Sequence, residues 1–322
     1  GVPVVPGSDG ELQSLDEARE WAENVGFPLR LKASAGGGGR GMRVVNAIDE
    51  LEEAWQMSRL EARNAFTSDA VYMERSIEEA RHIEIQVLGD EQGNLVYLGE
   101  RECSIQRRHQ KLLEESPSPV VDEALRRRLG EATIAGAESV GYYSAGTIEY
   151  LVDENLDFYF MEMNTRIQVE HPVTELVTGV DLVKEQIRIA AGESLTVAQD
   201  DIRITGHAIE CRINAEDPAR NFMPSSGTIT ALNMPGGPGV RVDSHIYQDY
   251  EIPPYYDSLL AKVIAYGHNR EDAMARMRRI LSEFTIEGVA TTIPFHKALL
   301  QEADFIAGKF DTNYVANTKL AL

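Results

Sequence analysis

Glu162-Met163-Asn164-Thr165-Arg166-Ile167-Gln168-Val169-Glu170-His171-Pro172 packs acid, amide, cation, amide, acid and imidazole into one short run. An ordinary surface loop rarely concentrates such chemistry, although composition alone also allows a salt-bridged loop. Immediately upstream, the apolar stretches 147–152 and 158–163, separated by a turn over 153–157, read as a β-hairpin. If Val152 pairs with Tyr159, Glu149 lies directly opposite Glu162, with Cβ atoms about 4.5–5.5 Å apart. Like charges so placed repel, and a divalent cation between them removes the conflict; Mg²⁺ is commonly held by carboxylates together with substrate phosphates. Asn164 shares the face of Glu162 and would complete the shell. The alternative is two solvated acids on an exposed face. Phe158 and Phe160 share the parity of Glu162, so that face is not simply polar, and this favours the metal. A slip of one residue would undo the argument.

Working toward the N-terminus, the polar stretch 101–111 is basic, and 82–87 alternates with period two. His82, Glu84 and Gln86 share one face there, and Ile83, Ile85 and Val87 the other. A turn over 89–94 leads to a partner strand at 95–99. Residues 74–81 are polar and read as a hinge between a small first unit and a larger second one. Within the first unit, Ser14 and Glu17 make a capping-box signature for a helix over 14–25 that Gly26 ends. Strands follow at 27–33, 42–45 and 71–73. A helix over 46–66 starts from Asn46 as its cap, with Leu51, Ala54, Trp55 and Met57 inward and Ser58 and Arg59 outward.

Between the first two strands stand the glycines of 36–41, interrupted only by Arg40. Each glycine costs roughly 0.5–1 kcal/mol relative to alanine in regular structure, more than a plain turn warrants. Side-chain-free backbone lets N–H groups approach a phosphate. The run feeds a strand rather than a helix, which separates it from the phosphate loop and the dinucleotide fingerprint. It reads as a hairpin flap over a triphosphate, with Lys32 and Arg40 offering charge, or equally as a mobile hairpin tip with a solvated arginine.

Toward the C-terminus, helices are expected over 122–140, 181–191, 270–284 and 295–302, and strands over 207–213, 228–232, 239–242 and 261–265. Strands that fall largely in hairpins make the class α+β. The chain has 322 residues, about two domains' worth. Its 31 Lys+Arg against 52 Asp+Glu give a formal charge of −21, which argues against nucleic-acid and anionic-membrane surfaces. No apolar run reaches the roughly 18 residues of a membrane span, and 1–7 lacks a secretory-signal pattern, so a cytoplasmic protein is expected. Cys103 and Cys211 suit neither a disulfide framework nor a zinc site and read as small buried hydrophobes. Arg107 and Arg108 are no nucleic-acid patch in so acidic a chain, and residues 126–128 read as a solvated helix face. Tyr255, Tyr256 and Phe284 read as core or dimer packing.

Taken with KASAGGGGRGMR (32–43), IQRRHQK (105–111) and GHAIECRINAEDP (206–218), the run EMNTRIQVEHP (162–172) resembles biotin carboxylase, the ATP-grasp component of acetyl-CoA and related acyl-CoA carboxylases. The four motifs occur in order, and the resemblance covers essentially the whole chain. It implies an ATP-grasp fold with a small lid subdomain (1–76), a larger antiparallel-sheet subdomain bearing metal and bicarbonate sites (77–205) and a biotin carboxylase C-terminal domain (206–322). It implies that Lys32, Gly38 and Gly39 hold the ATP phosphates and that Glu74, Arg75, Ser76 and Ile77 meet adenine largely through backbone groups. Family members often have lysine at the position of Arg75. His82 and Gln106 would line the ribose side, His109 would also contact the nucleotide, and Glu149, Glu162 and Asn164 would carry Mg²⁺ or Mn²⁺. Lys111, Arg166, Gln168 and Val169 would form the bicarbonate pocket. Glu170 would deprotonate bicarbonate, and Arg212 would stabilise the biotin enolate. Implied partners are a biotin carboxyl carrier protein, a carboxyltransferase and a second copy of the chain, in the service of fatty acid biosynthesis. Family members also carry an N-terminal α/β domain of roughly a hundred residues, which ends upstream of the segment matching Gly1. Two other readings are another bicarbonate-using ATP-grasp ligase, such as one forming carbamoyl phosphate, and a truncated, non-catalytic ATP-binding or assembly module.

Overall fold

The computed structural model describes residues 2–36, 41–66 and 68–320, with Phe66 by its backbone alone. The expected phosphate contacts Gly38 and Gly39, and Arg40, lie outside the described residues. The chain forms two compact units, Pro3–Ala80 and Arg81–Leu322 with Gly1–Val2.

The smaller unit begins with α1 (Leu15–Val25), where the Ser14 hydroxyl accepts the Glu17 N–H and Gly26 ends the helix at φ 85°. Only a residue without Cβ takes that backbone cheaply. The Glu17 carboxylate accepts from Gln13 N–H rather than from the cap itself. Strands β1 (Leu29–Ala33) and β2 (Met42–Val45) follow, then α2 (Leu51–Phe66) and β3 (Val71–Arg75), in the sheet order β2-β1-β3. Asn46 is not the cap of α2. A tight turn over Ile48–Glu50 intervenes, and the Glu50 carboxylate accepts the Asn46 N–H at 2.8 Å. On α2 the expected facing is reversed at two places: Ser58 is fully buried and Met57 is exposed. Leu29, Leu31, Val45, Leu51, Trp55, Val71 and Met73 build the core of this unit.

In the larger unit, β4 (Arg81–Gly89), β5 (Leu95–Arg107), β6 (Gln110–Ser116), α3 (Glu123–Ser139), β7 (Ser144–Val152), β8 (Phe158–Asn164), α4 (His171–Thr178), α5 (Leu182–Ala190) and β9 (His207–Asn214) precede a strand-rich last third. There β10 (Glu216–Asp217) pairs with β11 (Met223–Pro224), β12 (Gly227–Thr228) with β15 (Glu251–Ile252) and β13 (Ala231–Asn233) with β17 (Thr285–Glu287). The single strand expected over 228–232 is broken because Ile229 N–H bonds Tyr250 and Thr230 N–H bonds Glu287, so the chain changes partner there. With β14 (Val240–Ser244) and β16 (Leu259–Gly267), the main sheet runs β14-β16-β9-β6-β5-β4-β7-β8. It crosses the expected boundary at 205/206 through β6 and β9. Helix α6 (Arg270–Glu283) covers the β9–β16 part with Met277, Ile280 and Leu281.

Period two decides where this unit can carry polar chemistry. Ile83, Ile85, Ile148, Tyr150 and Val152 pack with Leu125 and Leu129 of α3 on one face of the sheet. The alternate residues Glu84, Gln86, Thr147 and Glu149 are therefore on the other face, and they too are buried. The basic stretch after 99 continues β5 because acids face it: Glu84 is the register partner of Arg101. Arg126, read as solvated, instead pairs with the buried Glu100 at 2.7 Å, while Arg127 and Arg128 are exposed. Tyr255 and Tyr256 are 87% and 83% exposed, so they are not core, whereas Phe284 is.

The hairpin β7–β8 corrects the assumed register while keeping its result. Val152 pairs with Phe158, not Tyr159, and Tyr150 with Phe160. A bulge at Met161 then absorbs one residue, so that Glu149 does pair with Glu162. The bulge also reverses parity. Phe158, Phe160 and Met163 pack together on the α3 face, and Glu162 lies on the opposite face from the two phenylalanines.

Candidate active site

In the smaller unit, Lys32 Nζ is 2.6 Å from a Glu74 carboxylate oxygen and 5.9 Å from the Tyr72 ring centroid. The N–H groups of Arg75 and Ser76 bond the carbonyls of Pro6 and Pro28, so those two donors are already used inside the fold. Ser76 is buried, Ile77 is partly buried and Arg75 is exposed.

In the larger unit, the polar face of the sheet gathers most of the residues expected at the reaction centre. Lys111 Nζ donates to Glu84 at 2.6 Å, Glu149 at 2.9 Å and Glu170 at 2.6 Å. Gln168 and Asn164 donate through their side-chain amides to the same Glu149 oxygen, at 2.9 and 3.0 Å. His82 Nε2 lies 3.1 Å from the other Glu149 oxygen. Arg212 Nη2 reaches Glu170 at 2.9 Å, and its Nε donates to Glu114 at 2.6 Å. Lys262 Nζ donates to the Val169 carbonyl at 2.8 Å and pins the backbone beside Glu170. Arg166 is exposed and, among the described residues, joins the network through Asn164, at 3.1 Å. Gln106 is buried as the register partner of Lys111, and His109 sits in the left-handed turn between β5 and β6 with φ 65°.

Charge sets the protonation of these groups. Burial pushes the Glu170 carboxyl up, but Lys111 and, against the repulsion of Glu84, Arg212 hold it below the ordinary range. Glu149 is likewise raised by burial, and His82 and Lys111 more than reverse that. Both are carboxylates, and Glu170 has the ionised form that a proton acceptor requires. The Lys111 ammonium, stabilised by the surrounding acids against its desolvation, stays charged.

Glu149, Glu162 and Asn164 lie on one face of β7–β8; the two carboxylates suit a hard divalent cation such as Mg²⁺, while the Asn164 amide here turns its nitrogen to Glu149 and its oxygen to Arg166. A second cluster, His82, Glu84 and Glu149, also has ligand atoms within 4.8 Å of one another, but the Lys111 ammonium already neutralises it. Cys103 is no thiolate ligand, since burial pushes its thiol well up.

The sequence reading assigned no role to Glu84, Arg101, Glu114 or Glu210. The available signal was a charged residue at an interior position of an otherwise apolar strand, as in His82-Ile83-Glu84-Ile85 and Ile209-Glu210-Cys211. Such a residue is buried only when paired or protonated.

Residues 1–198 match the family described as carbamoyl-phosphate synthase L chain, ATP binding domain, and residues 210–317 match the biotin carboxylase C-terminal domain. The chain is 56% identical over 316 residues to biotin carboxylase 1 of Bacillus subtilis, covering 98% of this chain and 70% of that protein. It is also 55% identical over 315 residues to the biotin carboxylase of a Nostoc species, again covering 98% of this chain and 70% of the relative. Among solved structures, the biotin carboxylase domain dimer of Hydrogenobacter thermophilus 2-oxoglutarate carboxylase, in complex with MgADP, ADP and bicarbonate, superposes with a TM-score of 0.94. That match has 52% identity and covers 98% of this chain and 70% of the other.

Proposed function

This chain belongs to the biotin carboxylase family, and we propose that it carries out ATP-dependent carboxylation of biotin with bicarbonate. The observation that carries the reading is Glu170: a buried carboxylate held between the Lys111 ammonium and the Arg212 guanidinium. In this reaction Glu170 takes the bicarbonate proton, and the freed oxygen attacks the γ-phosphorus of ATP, giving ADP and carboxyphosphate. Carboxyphosphate breaks down to CO₂ and phosphate, phosphate removes the N1 proton of biotin, and N1 bonds to CO₂. Lys111, Gln168, Val169 and the planar fork of Arg166 bind the bicarbonate anion. Arg212 opposes the negative charge that develops on the ureido oxygen. Mg²⁺ or Mn²⁺ at Glu149, Glu162 and Asn164 would supply charge to the nucleotide phosphates. His82, Gln106 and His109 are assigned to the nucleotide. In the smaller unit Lys32, Gly38 and Gly39 take phosphates and residues 74–77 take adenine, with closure of the glycine flap excluding water.

The division into 1–76, 77–205 and 206–322 is part of the same reading. So are a cytoplasmic location, fatty acid biosynthesis, a homodimer, a biotin carboxyl carrier protein and a carboxyltransferase as partners. The Hydrogenobacter domain is a dimer, which supports the second copy. Among the described residues, no helix is long and apolar enough to cross a membrane. The match of 210–317 to the biotin carboxylase C-terminal domain favours this chemistry over carbamoyl-phosphate formation.

The test is bicarbonate-dependent ATP hydrolysis by the native chain, with and without free biotin. Biotin stimulation is expected, and Glu170→Gln should lower the rate by about 10²–10⁴. ATP binding in calorimetry with no bicarbonate-stimulated turnover would instead indicate a non-catalytic module, and turnover indifferent to biotin another ligase.

A further inference from the structure

Arg101 is fully buried at the centre of the larger unit, and all of its donors are used. Its Nε–H donates to Glu84 at 2.5 Å. One terminal nitrogen donates to Gln86 at 2.8 Å and to the Thr174 hydroxyl at 3.0 Å. The other donates to the Thr147 hydroxyl at 3.1 Å and to Gln168 Oε1 at 2.8 Å. A guanidinium has five N–H donors in a rigid plane, and here each meets one acceptor. The acceptors come from β4, β7, α4 and the loop between β8 and α4.

Two of these contacts lead into the reaction centre. A side-chain amide has one oxygen and one NH₂ group. With Gln168 Oε1 fixed by Arg101, its Nε2 is turned onto Glu149. Glu84 receives Arg101 on one oxygen and Lys111 on the other, which fixes the ammonium that bridges Glu84, Glu149 and Glu170. We propose that Arg101 is a positioning residue for the bicarbonate pocket, setting the direction of the Gln168 amide through a fork that lysine cannot reproduce. The assignment rests on the reading of Gln168 as a bicarbonate ligand. Arg101 reaches Gln168 directly and Lys111 through Glu84, and both are assigned to bicarbonate, so its effect is expected on the bicarbonate KM before the ATP KM.

The experiment uses steady-state bicarbonate-dependent ATP hydrolysis by the native chain, with Arg101→Lys, Gln168→Ala and the double variant. Arg101→Lys keeps a cation on Glu84 but loses the planar contact to Gln168. It is expected to raise the bicarbonate KM about tenfold, the size of one lost hydrogen bond, with the ATP KM within about twofold of the parent. In the Gln168→Ala background the same substitution should leave the bicarbonate KM unchanged, because the group through which it acts is gone. Equal rises in both KM values, or additive effects in the double variant, would overturn the proposal. If Arg101→Lys fails to fold, Thr147→Val carries the same test. It removes one acceptor beside Gln168, and a bicarbonate KM rise of about two- to fourfold that vanishes with Gln168→Ala is expected. A parent whose ATP hydrolysis ignores bicarbonate would refute the functional reading itself, which the parent's own kinetics reveal before any variant is made.

Discussion

Among the acids that the main sheet buries, two groups are handled in opposite ways. On β4, β7 and the loop before α4, Glu84, Glu149 and Glu170 are met by Arg101, Lys111 and Arg212, and all three carboxyls are held below the ordinary range. On β6 and β9, the register partners Glu114 and Glu210 have one ion pair among the described residues, from Arg212 to Glu114. Three of their four oxygens find no hydrogen-bond partner among the described residues. Burial pushes Glu114 up to about 7, with Glu170 adding to it against Arg212, and drives Glu210 well above the usual range. One group is held ionised because each acid meets a cation; in the other the carboxyls keep their protons to higher pH because cations run short. Arg212 touches both, so the guanidinium assigned to the biotin enolate lies where the two groups meet.

The largest expected effect comes from taking the shared cation out of the first group. Lys111→Met leaves three buried carboxylates facing one another without their common partner. Removing one member of a buried ion pair costs about 3–5 kcal/mol, and the urea midpoint should fall accordingly, with bicarbonate-dependent hydrolysis lost. A variant of unchanged stability would mean that water or protonation already neutralises these acids, and the contrast between the two groups would disappear.

Of the first group, Lys111 and Glu170 were legible in the sequence because they stand in polar runs, whereas Glu84 and Arg101 were given no role. Glu149 opposite Glu162 followed from counting along a hairpin, and the result survived an error in register because the bulge at Met161 cancelled it. No local signal announces a bulge at a methionine, so the reversed parity of Phe158 and Phe160 was out of reach. Ser14, Gly26 and Asp122 ended or began helices as their chemistry predicts. Asn46 did not, since a competing acceptor, Glu50, captured its backbone N–H. The second group was invisible for a different reason. Whether Glu210 faces water or a lone acid depends on which strand lies beside β9, and that is a long-range fact of topology.

A smaller effect is expected at Glu210, and it is a matter of pH. A carboxyl whose folded pKa is raised contributes stability that is fully present below its unfolded pKa, near 4.5, and is lost as pH rises toward the folded value. Glu210→Gln removes that loss. The variant should therefore gain on the parent as pH is raised from about 5 to 8, with a limiting slope of about 1.4 kcal/mol per pH unit in urea denaturation. A difference that does not change with pH would place an ionised, paired carboxylate at Glu210 and merge the two groups into one.

The smallest net change is expected at Glu114, where two terms oppose. Glu114→Gln removes a desolvated carboxyl but exchanges the ion pair with Arg212 for a weaker hydrogen bond from the guanidinium to a neutral amide oxygen, a loss of about 1 kcal/mol. At neutral pH the net shift in stability should stay within about 1 kcal/mol. Its pH profile is the sharper reading. The raised pKa of about 7 confines the parent's loss of stability to the interval from near 4.5 up to about 7, and the difference should be flat above that. For Glu210→Gln the difference should keep growing over the same upper range. If the two profiles instead coincide, Glu114 and Glu210 titrate as a pair sharing one proton, and the acid group on β6 and β9 is a single site rather than two neighbours.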